Sequence, residues 1–257
     1  MIGANDFAAE IGTWNGIRPI ETACVQAALD LRRLHLRGWA ASAEALTQMD
    51  RDLSDQTLSS ILGKSAAVND LYNAQLGSAV LPMARHILKL SAENGLELPG
   101  DAPADVVERI GFMGKPSADR VGCLVFASKY AHFFVNPRRI PIYDKYAAQA
   151  LLFHWGSFEA TVMDGRHRYR NFCVVLDRVL AQSKLPRVSL GDLDAYLWLS
   201  GVYREWLRNH AKAEINAEAK TFFDTVLGNA EIQGLLAALV PVGPFTDDLP
   251  HARVPQK

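Results

Sequence analysis

The chain has 257 residues, which is enough for one large domain or two closely packed lobes with a sizeable core. Hydrophobic residues make up 49% and charged residues 21%, as in ordinary globular proteins, and the formal net charge of -1 argues against histone-like binding of nucleic acid by bulk charge. A local basic face stays compatible with this balance, because the 27 Lys and Arg residues can cluster while the acids lie elsewhere.

The cysteines and the N-terminus narrow the class of protein further. Cys24, Cys123 and Cys173 are far apart and form no Cys-x-x-Cys pair, so we expect no structural zinc site, no iron–sulfur cluster and no other cofactor. The N-terminus lacks the pattern of a signal peptide, and no apolar stretch approaches the ~20 residues that a membrane helix needs. We therefore expect a cytoplasmic protein without a membrane partner.

Apolar residues follow helical spacing through nearly the whole chain, and the two-residue alternation of strands is absent, which predicts an all-α fold. In the N-terminal part, one helix is predicted from Pro19 to a stop at Gly38, and a short helix after the Ser54 cap is predicted to stop at Gly63. Further helices are predicted from Ser65 and over 80–93. The Pro- and Gly-containing segment 96–103 reads as a connection between lobes.

The second half of the chain continues the helical pattern. A helix ending near Ile110, a glycine-bearing turn at 111–116 and a long helix from Ser117 form a predicted hairpin. The later predicted helices run from Asp144 to Trp155, over 172–181, from a capping box at Ser189–Asp192, and over 217–227 and 230–239, before an irregular tail from Pro241. We expect three segments: residues 1–98, 99–188 and 189–257.

Basic residues mark several candidate contacts for phosphate groups. Backbone N–H groups of the hairpin turn, with Gly114 and Lys115, can point at an anion, although such a turn is also common as a simple connection. Arg138 and Arg139 lie on a predicted loop. Arg166 and Arg168 begin a helix, where a solvated surface is an equally good interpretation.

Lys129 and Asp144 are the candidate catalytic residues. Lys129 follows an apolar helical segment, and burial is what lowers the pKa of an amine enough for it to act as a nucleophile. Asp144 begins the next helix, where the helix dipole favours a carboxylate, and a carboxylate stabilises the oxocarbenium-like sugar formed when a base leaves. The residues alone also allow a purely structural pairing. The aromatic and amide residues that can wall a base pocket are Tyr72, Asn69, Trp39, Tyr143 and Trp155.

The segment from Val121 to Lys129 and on through Pro141-Ile142-Tyr143-Asp144 resembles the helix-hairpin-helix DNA glycosylase superfamily, and in particular its 8-oxoguanine-glycosylase-like bacterial branch. The resemblance covers about 35 residues, from Ile110 to Asp144. It implies a two-lobed helical fold with a cleft between the lobes, in which the C-terminal helices pack on the N-terminal lobe. It also implies that Lys129 is the catalytic lysine, Asp144 the essential aspartate and 111–116 the hairpin.

The resemblance therefore predicts a monomeric DNA N-glycosylase that binds double-stranded DNA, flips out a damaged or modified base and leaves an abasic site, with or without lyase activity. Both DNA repair and anti-phage defence remain open, and in the second case a hypermodified pyrimidine such as glucosylated hydroxymethylcytosine is a plausible substrate. The alternative hypothesis is a non-catalytic all-α module that binds DNA or another protein.

Overall fold

A computed structural model describes residues 16–98, 103–113, 121–156, 168–183, 185, 187–226 and 229–240. Within these ranges the chain forms eleven α-helices and two short 3-10 helices and has no strand, which confirms the all-α prediction for this part of the chain. The α-helices are α1 (Thr22–His35), α2 (Arg37–Asp52), α3 (Leu58–Leu71), α4 (Val80–Ala92), α5 (Pro103–Gly111), α6 (Val121–Phe134), α7 (Lys145–Trp155), α8 (Arg168–Ser183), α9 (Leu190–Asn209), α10 (Ala217–Thr225) and α11 (Ala230–Leu239).

Side-chain caps define where several helices begin. The predicted capping box before α9 is confirmed: the Ser189 hydroxyl accepts from the Asp192 N–H at 3.1 Å, and the Asp192 carboxylate accepts from the Ser189 N–H at 3.2 Å. Asn216 and Asn229 cap α10 and α11 through their side-chain oxygens. Polar residues that favour caps thus set these boundaries in the chain.

Two glycines predicted to end helices lie inside them, so those predictions were wrong. Gly38 is in the first turn of α2, a helix that was not predicted, and its N–H donates to the Glu218 carboxylate at 2.8 Å. A Cβ at Gly38 would lie 3.0 Å from that carboxylate, so a larger residue here would require the Glu218 side chain to shift. Gly63 lies within α3, which Thr57 caps.

Helix α9 is the longest described helix, and it packs against both α7 and α1. Helix α11 also packs against α1, so described C-terminal helices contact an N-terminal one. The close crossing of α9 and α7 depends on Gly201, because a Cβ there would lie 2.2 Å from the Tyr146 carbonyl oxygen. This crossing brings the start of α7 against the middle of α9. The division into three segments stays a prediction.

Helices α5 and α3 both pack against α6, and α3 also packs against α4. Fully buried Lys64 on α3 donates to Asp55 at 2.6 Å and to Asp50 at 3.4 Å, which joins α2 and α3. In the part of the chain described here, no helix is long and apolar enough to span a membrane. The hairpin turn from residue 114, the lobe connection at 99–102 and the tail from Pro241 lie outside the described residues.

Candidate functional site

The fold brings the two predicted catalytic residues together. The Nζ atom of Lys129, on α6, lies 3.6 Å from Oδ2 of Asp144, which precedes α7. Only 5% of Lys129 and 8% of Asp144 is exposed, so the pair is largely, but not completely, removed from water. Low exposure strengthens the attraction between opposite charges, since the local dielectric is lower than that of water.

The two carboxylate oxygens of Asp144 have different partners: one caps a helix and the other forms the ion pair. Its Oδ1 accepts from the backbone N–H groups of Tyr146 and Ala147, both at 2.9 Å, which makes Asp144 the N-cap of α7. The Oδ2 atom is left to face Lys129. The N-terminal end of the helix also favours the charged carboxylate, so local structure holds a negative charge at this point.

Hydrogen bonds from two neighbouring helices hold the segment before Asp144. The Tyr143 N–H donates to the Ser128 hydroxyl at 3.0 Å, and that hydroxyl also lies 3.2 Å from the Tyr143 carbonyl oxygen. The phenol of Tyr169, on α8, donates to the Pro141 carbonyl at 2.8 Å. Because Ser128 directly precedes Lys129 in the chain, the first of these contacts ties the aspartate's backbone to the lysine's helix.

The Lys129 ammonium is positioned from the third side by the end of α3. It donates to the Tyr72 carbonyl at 3.0 Å and lies 5.7 Å from the centroid of the Tyr72 ring. Burial raises the pKa of the Tyr72 phenol, and the charge of Asp194 acts in the same direction. Lys129 is therefore held between a carboxylate, a backbone carbonyl and the face of an aromatic ring.

Asp194, on α9, is a further acid beside the pair. Burial raises the pKa of its carboxyl to about 8; the negative charge of Asp144 also raises it, while Lys129 and Arg32 oppose this effect. Asp194 is nevertheless only half-buried, so solvent still reaches it. The site thus combines a carboxylate at Asp144 with a carboxyl that keeps its proton near neutral pH.

Aromatic side chains stand around these charged groups. Tyr72 packs edge-to-face on Phe133 with ring centroids 5.1 Å apart. Trp39 contacts Trp198 with centroids 4.3 Å apart, and the Arg32 guanidinium lies 4.9 Å from the Trp39 ring. A hydrogen bond with the Trp39 side chain lowers the pKa of the Tyr72 phenol, against the larger effect of burial, which raises it. Half-buried Tyr72, Trp39 and Trp198 therefore form an aromatic surface next to the Lys129–Asp144 pair.

Glu218 holds Trp39 in place from a distant part of the chain. Its carboxylate accepts from the Gly38 N–H at 2.8 Å and from the Trp39 N–H at 3.0 Å, which caps α2 from α10. This contact orients the first turn of α2, where Trp39 lies.

The remaining predicted pocket residues lie elsewhere or have structural contacts. The Asn69 side-chain oxygen accepts from the Leu76 N–H at 2.7 Å, so it shapes the connection after α3. Tyr143 is buried and packs its ring on Tyr169 and Phe172. Trp155 is 1% exposed and ends α7, about 16 Å along the helix axis from its start at Asp144. The structure places Trp155 in the core, away from the ion pair.

The predicted phosphate contacts are only partly described. Arg138 is exposed and Arg139 half-buried on the segment between α6 and α7, and half-buried Arg168 begins α8. Gly114, Lys115 and Arg166 lie outside the described residues.

Sequence reasoning missed Asp194, Arg32 and Trp198. A signal for Asp194 exists in the spacing: residues 190, 194, 197, 198 and 201 share one face of α9, and an acid on an otherwise apolar face is unusual. Arg32 is half-buried against the Trp39 ring, and Trp198 is half-buried beside it. The meeting of these residues depends on how α9 crosses α7, which the sequence does not reveal.

In the described part of the chain, no group of three or more His, Cys, Asp or Glu side chains is arranged to hold a metal ion. The charged groups that converge here are an ion pair, Lys129–Asp144, and the neighbouring acid Asp194. We call the group formed by Lys129, Asp144, Asp194, Tyr72 and Trp39 the Lys–Asp cluster.

Comparison with known proteins gives relatives without a described activity. Residues 26–139 match the model of a family described as HI_0787_N, N-terminal domain; the match includes Lys129 and ends before Asp144. A protein of Haemophilus influenzae (strain ATCC 51907 / DSM 11121 / KW20 / Rd), described as an uncharacterized protein, is 29% identical over 151 residues, which is 58% of this chain and 70% of the relative. No solved structure matches the chain.

Proposed function

We propose that this protein is a DNA N-glycosylase with the two-lobed helical architecture of the helix-hairpin-helix glycosylases. It would flip a damaged or modified base out of duplex DNA and cleave the bond between that base and its sugar. The observation that carries the proposal is the Lys129–Asp144 ion pair, 3.6 Å long, almost buried and set at the N-terminus of a helix. The aromatic side chains around the pair support the proposal further, because an extruded base needs a flat partner on which to stack.

Asp144 would act on the sugar. As the bond between the base nitrogen and C1′ breaks, its electron pair leaves with the base, and positive charge develops on the sugar ring. The Asp144 carboxylate, fixed by two backbone N–H groups, would stabilise that charge without having to reorganise. Water then adds to C1′ and gives its proton to Asp144, which leaves an abasic site.

Asp194 would supply the proton that the departing base requires. Its pKa of about 8 means that this carboxyl is largely protonated at neutral pH, while its half-buried position leaves it accessible to a bound base. A protonated carboxyl can donate to a ring nitrogen or a carbonyl oxygen of the base. The proton lost to the base is regained from solvent after the base leaves.

Lys129 has two roles open to it. As an ammonium group it would orient Asp144 and the bound nucleotide. As a neutral amine, after giving a proton to Asp144, it would attack C1′ and displace the base; a proton then passes from the nitrogen to the ring oxygen as the C1′–O4′ bond opens, which gives an imine. Direct hydrolysis of that imine releases the lysine and leaves an abasic site, whereas prior loss of a C2′ proton expels the 3′ phosphate by β-elimination and cuts the strand. Only the second role gives associated lyase activity.

The basic residues would hold the flanking phosphates. Exposed Arg138 and half-buried Arg139 lie on the segment that leads to Asp144, and Arg168 begins a helix. Gly114, Lys115 and Arg166 would complete this grip, with DNA as the partner of a monomeric protein. Repair and phage defence are both compatible with this chemistry, and a hypermodified pyrimidine remains a candidate substrate for the second.

The experiment is a screen of the purified protein on duplexes that each carry one modified or damaged base, with abasic sites revealed by alkaline strand cleavage. We expect base release from at least one duplex and its loss in Asp144→Asn, which keeps a capping side chain but removes the charge. Asp52→Asn removes a charge from an exposed position and serves as the matched control. Borohydride trapping of a protein–DNA adduct that Lys129→Gln abolishes would assign the imine route.

The proposal fails if no duplex in a panel covering oxidised, alkylated, deaminated and glucosylated bases yields abasic sites. DNA binding that survives Lys129→Gln and Asp144→Asn together, without base release, would instead support the non-catalytic DNA-binding module.

A further inference from the structure

A cavity lies between α6, the segment that joins α6 to α7, and the residues that lead into α9, and none of its lining residues belongs to the Lys–Asp cluster. Its volume is about 580 Å³, within the range of roughly 300–1,000 Å³ that is typical of small-molecule sites. Five aliphatic residues line it: Leu180, Leu185, Val188, Leu190 and Leu193. The first four of these are half-buried, so this aliphatic cavity exposes apolar surface that an apolar ligand would remove from water.

His132, on α6, adds one buried acceptor to this lining. It is 5% exposed, and its Nδ1 lies 2.7 Å from the Ile140 carbonyl oxygen. A carbonyl can only accept, so Nδ1 carries the proton and Nε2 of the neutral ring is an acceptor. Burial lowers the pKa of His132, which favours this neutral form at pH 7. Among the described residues Nε2 has no hydrogen-bond partner, and it is not one of the side-chain atoms sealed from solvent, so it opens onto the cavity.

The charges around the cavity restrict the class of ligand. None of the described lining residues is acidic, so a cationic ligand would meet no counter-charge there. An ionised carboxylate only accepts hydrogen bonds, so it cannot satisfy Nε2 of His132. A hydroxyl group supplies the donor that Nε2 requires, and an alkyl chain attached to it brings no further polar group that would have to lose its water.

From these features we infer that the aliphatic cavity binds an uncharged aliphatic alcohol, whose hydroxyl donates to Nε2 of His132 and whose alkyl chain packs on the five aliphatic residues. The buried acceptor fixes the position of the polar end, and the half-buried aliphatic surface provides the driving force for the chain. Pro137 and Arg138, which also line the cavity, are exposed, so a chain longer than the cavity can extend into solvent. This inference goes beyond base excision and does not depend on it.

The test is equilibrium binding to the full chain, without DNA, measured by titration calorimetry. The ligands are butanol, hexanol and octanol with terminal hydroxyls, octanoate, and methyl pentyl ether, which has the same formula as hexanol but no donor. We expect hexanol to bind with a Kd below about 1 mM, and affinity to rise about fourfold per added methylene until the chain reaches the opening. Hexanol should bind about tenfold more tightly than methyl pentyl ether, because the ether buries Nε2 without giving it a hydrogen bond. Octanol should bind more tightly than octanoate.

Three variants locate the binding. Leu185→Trp fills the cavity from a half-buried position and should abolish alcohol binding, whereas Leu81→Trp, the same change at an exposed position on α4, should leave it unchanged. His132→Asn keeps an N–H donor for the Ile140 carbonyl but removes the Nε2 acceptor. The tenfold preference for hexanol over methyl pentyl ether should therefore fall to about one in His132→Asn.

Several outcomes would overturn the inference. One is the absence of saturable binding by every alcohol, and another is unchanged binding in Leu185→Trp. Equal affinity of the wild type for hexanol and methyl pentyl ether would show that Nε2 of His132 receives no hydrogen bond from the ligand. Tighter binding of octanoate than of octanol would show that the site selects an anion instead. If Leu185→Trp or His132→Asn does not fold, as judged by circular dichroism, the comparison of alcohol, ether and carboxylate on the wild type decides.

Discussion

Replacing Asp144 by Asn or by Ala separates the two contributions that this carboxylate makes to stability. One oxygen caps α7 by accepting from Tyr146 and Ala147, and the other faces the Lys129 ammonium at 3.6 Å. Asn keeps a capping oxygen but loses the charge, whereas Ala loses both. Either change leaves the ammonium group buried, with the Tyr72 carbonyl as its remaining hydrogen-bond acceptor among the described residues.

The expected magnitudes follow from these contacts. Removing one partner of a buried ion pair costs about 3–5 kcal/mol of unfolding free energy. Loss of a helix cap adds about 1 kcal/mol. We therefore expect a destabilisation of about 3–5 kcal/mol for Asp144→Asn and about 1 kcal/mol more for Asp144→Ala. Because the penalty comes from an unpaired charge, adding Lys129→Met to Asp144→Asn should recover part of the loss, with a coupling energy of about 1–3 kcal/mol.

Urea unfolding followed by circular dichroism measures these free energies, with Asp52→Asn as the control for removing an exposed carboxylate. A cost of less than about 1 kcal/mol for Asp144→Asn would show that the two groups form no buried ion pair. Losses in Asp144→Asn and Lys129→Met that simply add in the double variant would likewise show that the two groups do not interact.

Three further predictions concern single residues. Gly201→Ala should destabilise the protein by about 3 kcal/mol or more, because its Cβ would lie 2.2 Å from the Tyr146 carbonyl oxygen. Gly234→Ala, at an exposed helical site with no atom within 4 Å, should instead stabilise the protein by about 1 kcal/mol. Equal melting temperatures for the two variants would contradict this packing. The folded-state pKa of Asp194 is raised to about 8, so the folded protein holds this proton more tightly than the unfolded chain does. The unfolding free energy of the wild type relative to Asp194→Asn should therefore fall by about 1 kcal/mol per pH unit as pH rises from about 5 to 8, and then level off. A difference that stays constant over that interval would show that the pKa of this carboxyl is not perturbed. Burial lowers the pKa of His154 to about 4, so the contribution of its neutral ring to the unfolding free energy is present above pH ~6.5 and is lost as pH falls towards 4. Acid unfolding curves of His154→Gln should lack that loss. Curves parallel to those of the wild type would contradict this prediction.

The fold class could be predicted from the sequence because it depends on local patterns. Helical spacing of apolar residues and polar capping residues act over a few positions, as in the Ser189–Asp192 capping box, which was predicted and is present. Glycine was less informative. Gly38 and Gly63 were predicted to stop helices and lie inside them, and the helix that contains Gly38 is capped at its start by Glu218, 180 residues away. A contact of that separation leaves no trace in a local window.

The candidate site was predictable in part for the same reason. Lys129 and Asp144 lie 15 residues apart on consecutive helices, and a helix followed by a short return segment is enough to bring them within reach. Asp194 was missed because its position depends on the crossing of α9 with α7, which Gly201 permits. Trp155 was proposed for the pocket by residue type alone, and it lies at the far end of α7 within the core.

The most direct test of base excision is the single-turnover rate of base release by the wild type and by Asp144→Asn on the most reactive duplex. We expect a rate about 10²–10³-fold lower in Asp144→Asn, the usual cost of removing one preorganised electrostatic group, with DNA affinity and folding preserved. A rate in folded Asp144→Asn within about twofold of the wild type, or no base release by the wild type on any duplex, would contradict the claim that the Lys–Asp cluster cleaves the bond between base and sugar.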